Sequence, residues 1–326
     1  MDGLEVIKLE DKKMKTVSIV VPTYNEEENV VSLVAGLKKE ITENLPEYDY
    51  EILFIDNDSK DNTRKLIREL CNEDKHIRAI FNLKNFGPDN SPYYGLMQAT
   101  GDCAILFCAD FQDPFEMIHK MVKEWEKGHT VITAIKKTSK ENHIVRFLRT
   151  VYYKFIRKVS DTEIIEHFTG FGLYDKSFLD VMRNLDDSIP FLRGVVAEFS
   201  GDRLEMPYEQ QQRRAGKSHI RFFTLYDMAM RSFTSYTKVG LRAATFVGFI
   251  TALTSFVIAL IYLIRKLINW YSFDMGMAPV LIGMFFLGAV QLIFLGLMGE
   301  YIISINQRTM KRPLVVEKER INFEDK

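Results

Sequence analysis

Val17-Ser18-Ile19-Val20-Val21-Pro22-Thr23-Tyr24-Asn25-Glu26-Glu27-Glu28 reads as a short apolar strand that stops near a proline and yields to an acidic helix start. Working outward, strand-like runs recur at 51–55, 77–81, 103–107 and 130–134. Helical patterns fill the intervals at 26–43, 61–72, 93–99 and 114–128. This alternation predicts an α/β fold, a parallel sheet covered on both faces. Such sheets bind ligands beyond the carboxyl ends of their strands, so the residues just after each strand carry the information.

After the first strand, Asn25 reads as an N-cap and Glu28 as the partner that completes a capping box, and capping is the stronger reading of that stretch taken alone. After the second come Asp56-Asn57-Asp58-Ser59-Lys60-Asp61. Turn chemistry explains them, yet Asp56 and Asp58 can also accept hydrogen bonds from a uracil N–H or from ribose hydroxyls. After the fourth come Cys108-Ala109-Asp110-Phe111-Gln112-Asp113-Pro114. Asp113 before Pro114 reads as a cap, which leaves Asp110 and Gln112 without a structural duty. Oxygen ligands on a loop facing a nucleotide diphosphate are what Mg2+ or Mn2+ takes, with phosphate completing the shell.

A net charge of −1 gives no support to a nucleic-acid partner. Three cysteines without a paired motif fit a reducing compartment. Two uncharged stretches dominate the last third, 22 residues at 243–264 and 25 at 275–299. The shorter, at about 1.5 Å per residue, reaches roughly 33 Å, enough to cross a hydrocarbon core. A pair of buried soluble helices is the alternative. Read as spans, they form a hairpin around an interfacial turn carrying Trp270 and Tyr271. Lys238, Arg242, Arg308, Lys311 and Arg312 flank the outer ends against Arg265 and Lys266 in the turn, which favours a cytoplasmic catalytic domain. The expected organisation is a catalytic domain at 1–218, an interfacial amphipathic helix at 219–238, a transmembrane hairpin at 239–307 and a cytoplasmic tail at 308–326, in a multi-pass protein of the inner membrane.

With these motifs in order, the sequence resembles the family-2 glycosyltransferases, specifically the polyprenyl-phosphate branch related to dolichol-phosphate mannose synthase. Val21-Pro22-Thr23-Tyr24-Asn25-Glu26, Ile55-Asp56-Asn57-Asp58-Ser59, Asn85-Phe86-Gly87, Gly101-Asp102 and Ala109-Asp110-Phe111-Gln112-Asp113-Pro114 carry the resemblance, followed by Phe168-Thr169-Gly170-Phe171-Gly172-Leu173, Phe191-Leu192-Arg193-Gly194 and Arg213-Arg214-Ala215-Gly216-Lys217-Ser218. It implies a GT-A (Rossmann-like) domain binding a nucleotide-sugar, expected to be a UDP-sugar. Pro22, Tyr24, Glu26 and Asp56 would surround base and ribose, Asp110 and Gln112 the metal, and Arg193, Arg213 and Arg214 the donor. Two departures stand out: Cys108 where the family has a first aspartate, and Asn57-Asp58 where it has Asp-Gly. A bacterial branch of the family also lacks that first aspartate, so the resemblance does not imply loss of activity.

Two basic clusters point to an anionic lipid acceptor. Residues 136–158 carry eight Lys or Arg against Glu141 alone, interleaved with apolar residues such as Phe147 and Leu148. Arg213, Arg214, Lys217 and Arg221 precede an aromatic run, and arginines hold phosphate bidentately. A polyprenyl phosphate is already ionised and needs no general base. Glu198 is a candidate acceptor-side carboxylate, a core or turn role being an equal alternative. The expectation is therefore a transferase from nucleotide-sugar to polyprenyl phosphate, inverting the anomeric centre as the resemblance implies, with Asp110, Arg213 and Glu198 as catalytic candidates. A lipid-linked hydroxyl acceptor and a non-catalytic membrane scaffold are the alternatives, and self-association is left open.

Overall fold

The computed structural model describes residues 14–137, 165–185, 187, 190–211, 239–268 and 277–323. They divide into two compact units: 14–137, 165–211 and 312–323 in one, and 239–268 with 277–311 in the other.

The first unit is built on an eight-stranded sheet. Its strands are β1 (Thr16–Thr23), β2 (Asp49–Asp56), β3 (Ile77–Asn82), β4 (Cys103–Leu106), β5 (Val131–Lys136), β6 (Phe168–Asp175), β7 (Arg203–Tyr208) and β8 (Glu317–Ile321). Between them lie α1 (Val30–Asn44), α2 (Thr63–Glu73), α3 (Asn90–Gln98), α4 (Glu116–Glu126), α5 (Lys176–Asn184) and α6 (Leu192–Phe199). Spatial order is β7-β5-β6-β4-β1-β2-β3-β8. The parallel core β4-β1-β2-β3 matches the sequence reading. The wholly parallel sheet is corrected, because β6 runs antiparallel to β4 and β5, and β8 antiparallel to β3.

Successive strand residues point to opposite faces, and both faces are apolar. Val17, Ile19 and Val21 pack with α1, α2 and α4, while Val20, Leu53 and Ile55 pack with α3, α5 and α6. Each fully buried aliphatic side chain contributes about 2 kcal/mol. Gly36 in α1 serves this packing, since a Cβ there would come within 2.6 Å of Phe115 Cζ.

β1 is the hinge of the topology. The chain proceeds from β1 to β2 and β3 on one side, then crosses back to place β4 on the other. Val20 accepts from the Phe107 N–H at 2.9 Å, the last rung between β1 and the end of β4. Two residues on, Pro22 faces the same neighbour without an N–H to give. The ladder stops there, at the kind of switch point where doubly wound sheets place their ligands.

The segment at 308–326 is not a separate tail: Glu317–Ile321 closes the sheet edge beside β3. Arg68 of α2 meets Glu319 at 2.6 Å, and Asn322 donates to the Cys71 and Ile77 carbonyls.

The second unit holds α7 (Val239–Ile268) and α8 (Met277–Thr309). Among the described residues, one stretch, Gly283–Thr309 at mean hydropathy 1.8, is long and apolar enough to cross a membrane, and Arg242–Ile258 of α7 is a shorter apolar segment. Phe246, Phe249, Phe285, Leu292 and Ile293 are 67–72% exposed. The basic segment from 138 to 158, the stretch 212–238 and the turn carrying Trp270 and Tyr271 lie outside the described residues.

Candidate active site

Beyond β1 and β2, two loops clasp each other. The Asn25 N–H donates to Ser59 Oγ (2.9 Å), and Asn25 Oδ1 accepts from the Lys60 N–H (2.8 Å). The Glu26 N–H donates to Thr63 Oγ1 (2.8 Å), and the Glu26 carboxylate accepts from Asn29 Nδ2 (2.6 Å). This corrects the capping-box reading. α1 starts at Val30 with Asn29 at its N-cap position, while Asn25, at φ +57°, is spent on the neighbouring loop. Pro22 and Tyr24 stand half-buried on the same rim.

Asp56 is fully buried and its acceptor capacity is used within the protein. Oδ1 takes the Ser59 N–H (3.1 Å) and Arg64 Nε, and Oδ2 takes Ser59 Oγ and Thr23 Oγ1 (3.4 Å). Arg64 reaches on to Asp58 Oδ1 (3.3 Å) and the Asn82 carbonyl (2.6 Å). Asn57 is also buried and works as a hub. Its Nδ2 donates to Asn85 Oδ1 (3.1 Å) and the Gly87 carbonyl (3.0 Å), and its Oδ1 accepts from Asn82 Nδ2 and the Phe86 N–H. The Asn85-Phe86-Gly87 motif is thus the loop that Asn57 holds. An aspartate at 57 would set its charge against Asn85 Oδ1 and the Gly87 carbonyl. Neither Arg64 nor Asn82 lies in a spaced motif, so no sequence signal singles them out.

Beyond β4, Asp110 and Gln112 are half-buried on the loop leading to α4. The Gln112 N–H donates to Asp110 Oδ1 at 3.1 Å. Phe111 between them takes φ +59° with its ring buried edge-on to Phe115, 5.8 Å between centroids. Phe107, Phe115, Phe171 and Tyr208 continue the aromatic floor. Asp113, expected as a cap, instead accepts from the Cys108 N–H (3.2 Å) and the Tyr208 hydroxyl (3.1 Å) beneath that floor. Burial raises its carboxyl to about 6, and the Asp110 charge adds to the rise. Gln210 and Gln211 come back to the motif: Gln210 Nε2 donates to Gln112 Oε1 (2.9 Å), and the Gln211 N–H to the Gln112 carbonyl (3.0 Å).

The donor chemistry here suits Mg2+ or Mn2+. A carboxylate and an amide oxygen are hard ligands. Burial, together with the Asp113 and Asp110 charges, pushes the Cys108 thiol well above its usual range, so it remains a neutral thiol. Among the described residues no cluster of three or more His, Cys, Asp or Glu forms a complete cage. An ion held by two protein groups and finished by phosphates is consistent with that.

Arg193 lies in the first turn of α6, its guanidinium 4.7 Å from the Phe191 ring centroid. A Cβ on Gly170 (φ +104°) would lie 3.3 Å from both Leu106 and Leu192, so the start of α6 stands beside the end of β4. Glu198 is exposed in the last turn of α6. Five residues rotate a helix by about 140°, so Glu198 faces away from the Arg193 side. Arg213 and Arg214 lie outside the described residues.

The profile of the family "Glycosyl transferase family 2" matches residues 18–182, from β1 into α5. The bactoprenol glucosyl transferase of Shigella phage SfX is 30% identical over 305 residues, covering 93% of this chain and 99% of that protein. The prophage bactoprenol glucosyl transferase homolog of Escherichia coli K12 is 29% identical over 303 residues, covering 93% and 98%.

Proposed function

This chain belongs to glycosyltransferase family 2 and is a nucleotide-sugar-dependent glycosyltransferase; from that premise we propose that it transfers its sugar to a polyprenyl phosphate at the cytoplasmic face of a membrane, inverting the anomeric centre. The observation that carries the acceptor is the alignment along 99% of a phage protein named for bactoprenol, which takes in the two long helices as well as the sheet.

The chemistry follows from the switch-point crevice. The acceptor phosphate arrives ionised, and one of its oxygens attacks the anomeric carbon. The bond from that carbon to the nucleoside diphosphate breaks, and the electron pair leaves with the diphosphate. Asp110 and Gln112 are the groups that would hold Mg2+ or Mn2+, which offsets the charge developing on that leaving group. The remaining task is positioning two anions against each other. Pro22, Tyr24, Glu26 and the Asp56–Asp58 loop form the nucleoside side of the crevice. Arg193 stands beside the end of β4 on the other. Gln210 and Gln211 tie the chain to Gln112 two residues before Arg213, which supports a phosphate role for Arg213 and Arg214.

Connectivity supports a two-span anchor. β8 is hydrogen-bonded into the same sheet as β1, so the chain entering α7 and the chain leaving α8 share one compartment. The number of crossings between them is then even. With Gly283–Thr309 long enough for one, α7 at 30 residues supplies the other.

The test uses the purified full-length protein with undecaprenyl phosphate, Mg2+ or Mn2+ and a panel of labelled UDP-, GDP- and dTDP-sugars. Label entering the organic phase from one donor is the expected outcome and identifies the sugar. Nucleotide release without lipid label would reject the lipid-phosphate acceptor.

A further inference from the structure

The edge strand β8 comes from the far end of the chain, and a β-bulge divides its side chains between two helices. Phe81 pairs with Glu319 but Asn82 with Glu317, so Lys318 is the extra residue. A bulge re-aims the side chains around it. Glu317 consequently joins Arg320 on the α3 side. It accepts from the Tyr94 hydroxyl (2.7 Å) and pairs with Arg320, which reaches on to Gln98 Oε1 (2.6 Å). Glu319 turns to α2 instead and takes two N–H groups of Arg68, at 2.6 and 3.4 Å.

The Arg68 contact continues inward. Arg64 and Arg68 lie one turn apart on α2, a spacing at which like charges repel. Both guanidiniums nevertheless stand over the ring of fully buried Phe81, 5.6 and 4.6 Å from its centroid. They coexist because each has its own acceptors. Arg68 has Glu319, whereas Arg64 has Asp56, Asp58 (3.3 Å) and the Asn82 carbonyl (2.6 Å). The Glu319 hydrogen bond and, to a lesser degree, the Asp56 charge raise the Arg68 guanidinium above its ordinary value. An Arg68 released from Glu319 would therefore turn towards the acceptors that hold Arg64, and the loop after β2 would lose its brace. Arg68 and Glu319 keep 40% and 38% of their side-chain surface. An exposed pair of this kind adds little to global stability, so its local effect can be measured apart from unfolding.

We infer that the C-terminal strand is a working support of the candidate donor site, with Glu319 as a positioning residue that acts through Arg68 and Phe81 on Arg64 and the 56–58 loop. The inference rests on reading the crevice beyond β1 and β2 as the site of a nucleoside diphosphate. It makes that site complete only when the last strand has docked.

The experiment compares the full-length parent with Glu319→Arg, Arg68→Glu and the double exchange, all with Mg2+. Affinity for UDP, GDP and dTDP is read by calorimetry, and donor KM and kcat by lipid labelling. Amide hydrogen exchange is followed across 57–63, where the Ser59, Lys60, Asn62 and Thr63 N–H groups are hydrogen-bonded. Glu319→Arg should weaken the preferred nucleotide and raise donor KM about fivefold, with kcat within about twofold and the melting temperature within a few degrees. Exchange across 57–63 should quicken. Glu319→Gln, which removes the charge and keeps the size, should show the same pattern more weakly. The double exchange rebuilds the pair in reverse and should recover most of the loss. Glu317→Gln loosens the same strand on its α3 side and should leave affinity and exchange at 57–63 unchanged.

Unchanged exchange at 57–63 in Glu319→Arg would overturn the relay, as would equal quickening in Glu317→Gln. A double exchange that recovers the melting temperature but not the affinity would overturn it too. Quickened exchange with unchanged affinity would instead overturn the donor-site reading on which the inference rests, and the two failures are thereby told apart.

Discussion

Phe111 turns the backbone left-handed between Asp110 and Gln112 while its ring is buried against Phe115. The ring anchors the turn, and the turn presents Asp110 and Gln112, the two oxygen ligands proposed for the metal. Phe111→Gly relieves about 1 kcal/mol of backbone strain but removes a buried aromatic worth several times that. The expected result in thermal unfolding is a net loss of about 2–4 kcal/mol, accompanied by a weaker response of turnover to Mn2+. Asp110→Asn should leave the melting temperature unchanged and cut lipid labelling at least about 100-fold; full activity would remove Asp110 from the metal site. Asp74 supplies a pH test remote from the chemistry. Burial raises its carboxyl, but Lys38 at 2.6 Å and His76 outweigh that and hold it at about 2. A depressed carboxyl stabilises the fold above its unfolded value near 4, and that stabilisation is lost as pH falls towards 2. Asp74→Asn should therefore begin acid unfolding at a higher pH, by a margin of about 1–2 kcal/mol. At this scale the sequence was half legible. Asp110 and Gln112 stood out because no cap or turn claimed them. Asn25 and Asp113 were misread because their partners, Lys60 and Tyr208, lie 35 and 95 residues away.

Packing of elements explains which parts of the sheet could be anticipated. β1 to β5 are runs of buried aliphatics that no helix pattern imitates, so their existence followed from alternation, but their spatial order did not, since the antiparallel β6 stands between β4 and β5. β6 hides behind glycines: Gly172 crosses β5 so closely that a Cβ would come within 2.4 Å of the Ile132 carbonyl. β8, Glu317-Lys318-Glu319-Arg320-Ile321, has poor strand propensity by composition, and pairing with β3 makes it a strand. Its charges are what an edge strand uses to refuse further partners. Asn322, just past β8, donates to the Cys71 carbonyl near the end of α2 and to the Ile77 carbonyl at the start of β3. Asn322→Ala should cost about 1 kcal/mol, measurable as a lower denaturant midpoint with an unchanged slope. Between α1 and α4, Gly36→Ala forces a methyl against a Phe115 ring that Phe107 and Phe111 already hold. Overpacking of this kind costs about 1–3 kcal/mol. Because Phe115 underlies the Asp110 loop, the variant should also show a raised KM for metal.

Taken whole, the chain joins a mixed α/β unit to a pair of long apolar helices, and the apolar runs were legible because they lack any charge over 22 and 25 residues. The return of the chain to its first unit was not, since nothing in a charged pentapeptide announces a partner some 240 residues upstream. That return makes topology testable. Reporters placed at the amino terminus and after Phe323 should read the same side of the membrane, and one inserted at 269–276 the opposite side; agreement among all three would reject two crossings. It also sets an order of events during synthesis. The ribosome releases β1 to β7 long before β8 exists, so with the two-span anchor proposed above β3 would wait with a bare hydrogen-bonding edge while the apolar helices were threaded into the bilayer. A nascent chain whose helices were inserted with the wrong parity would strand its last five-residue ribbon across the lipid from that edge. The sheet would remain incomplete, open to proteases and chaperones. Under the proposed anchor, completion of the catalytic unit would thereby become a molecular record that the helices were laid correctly.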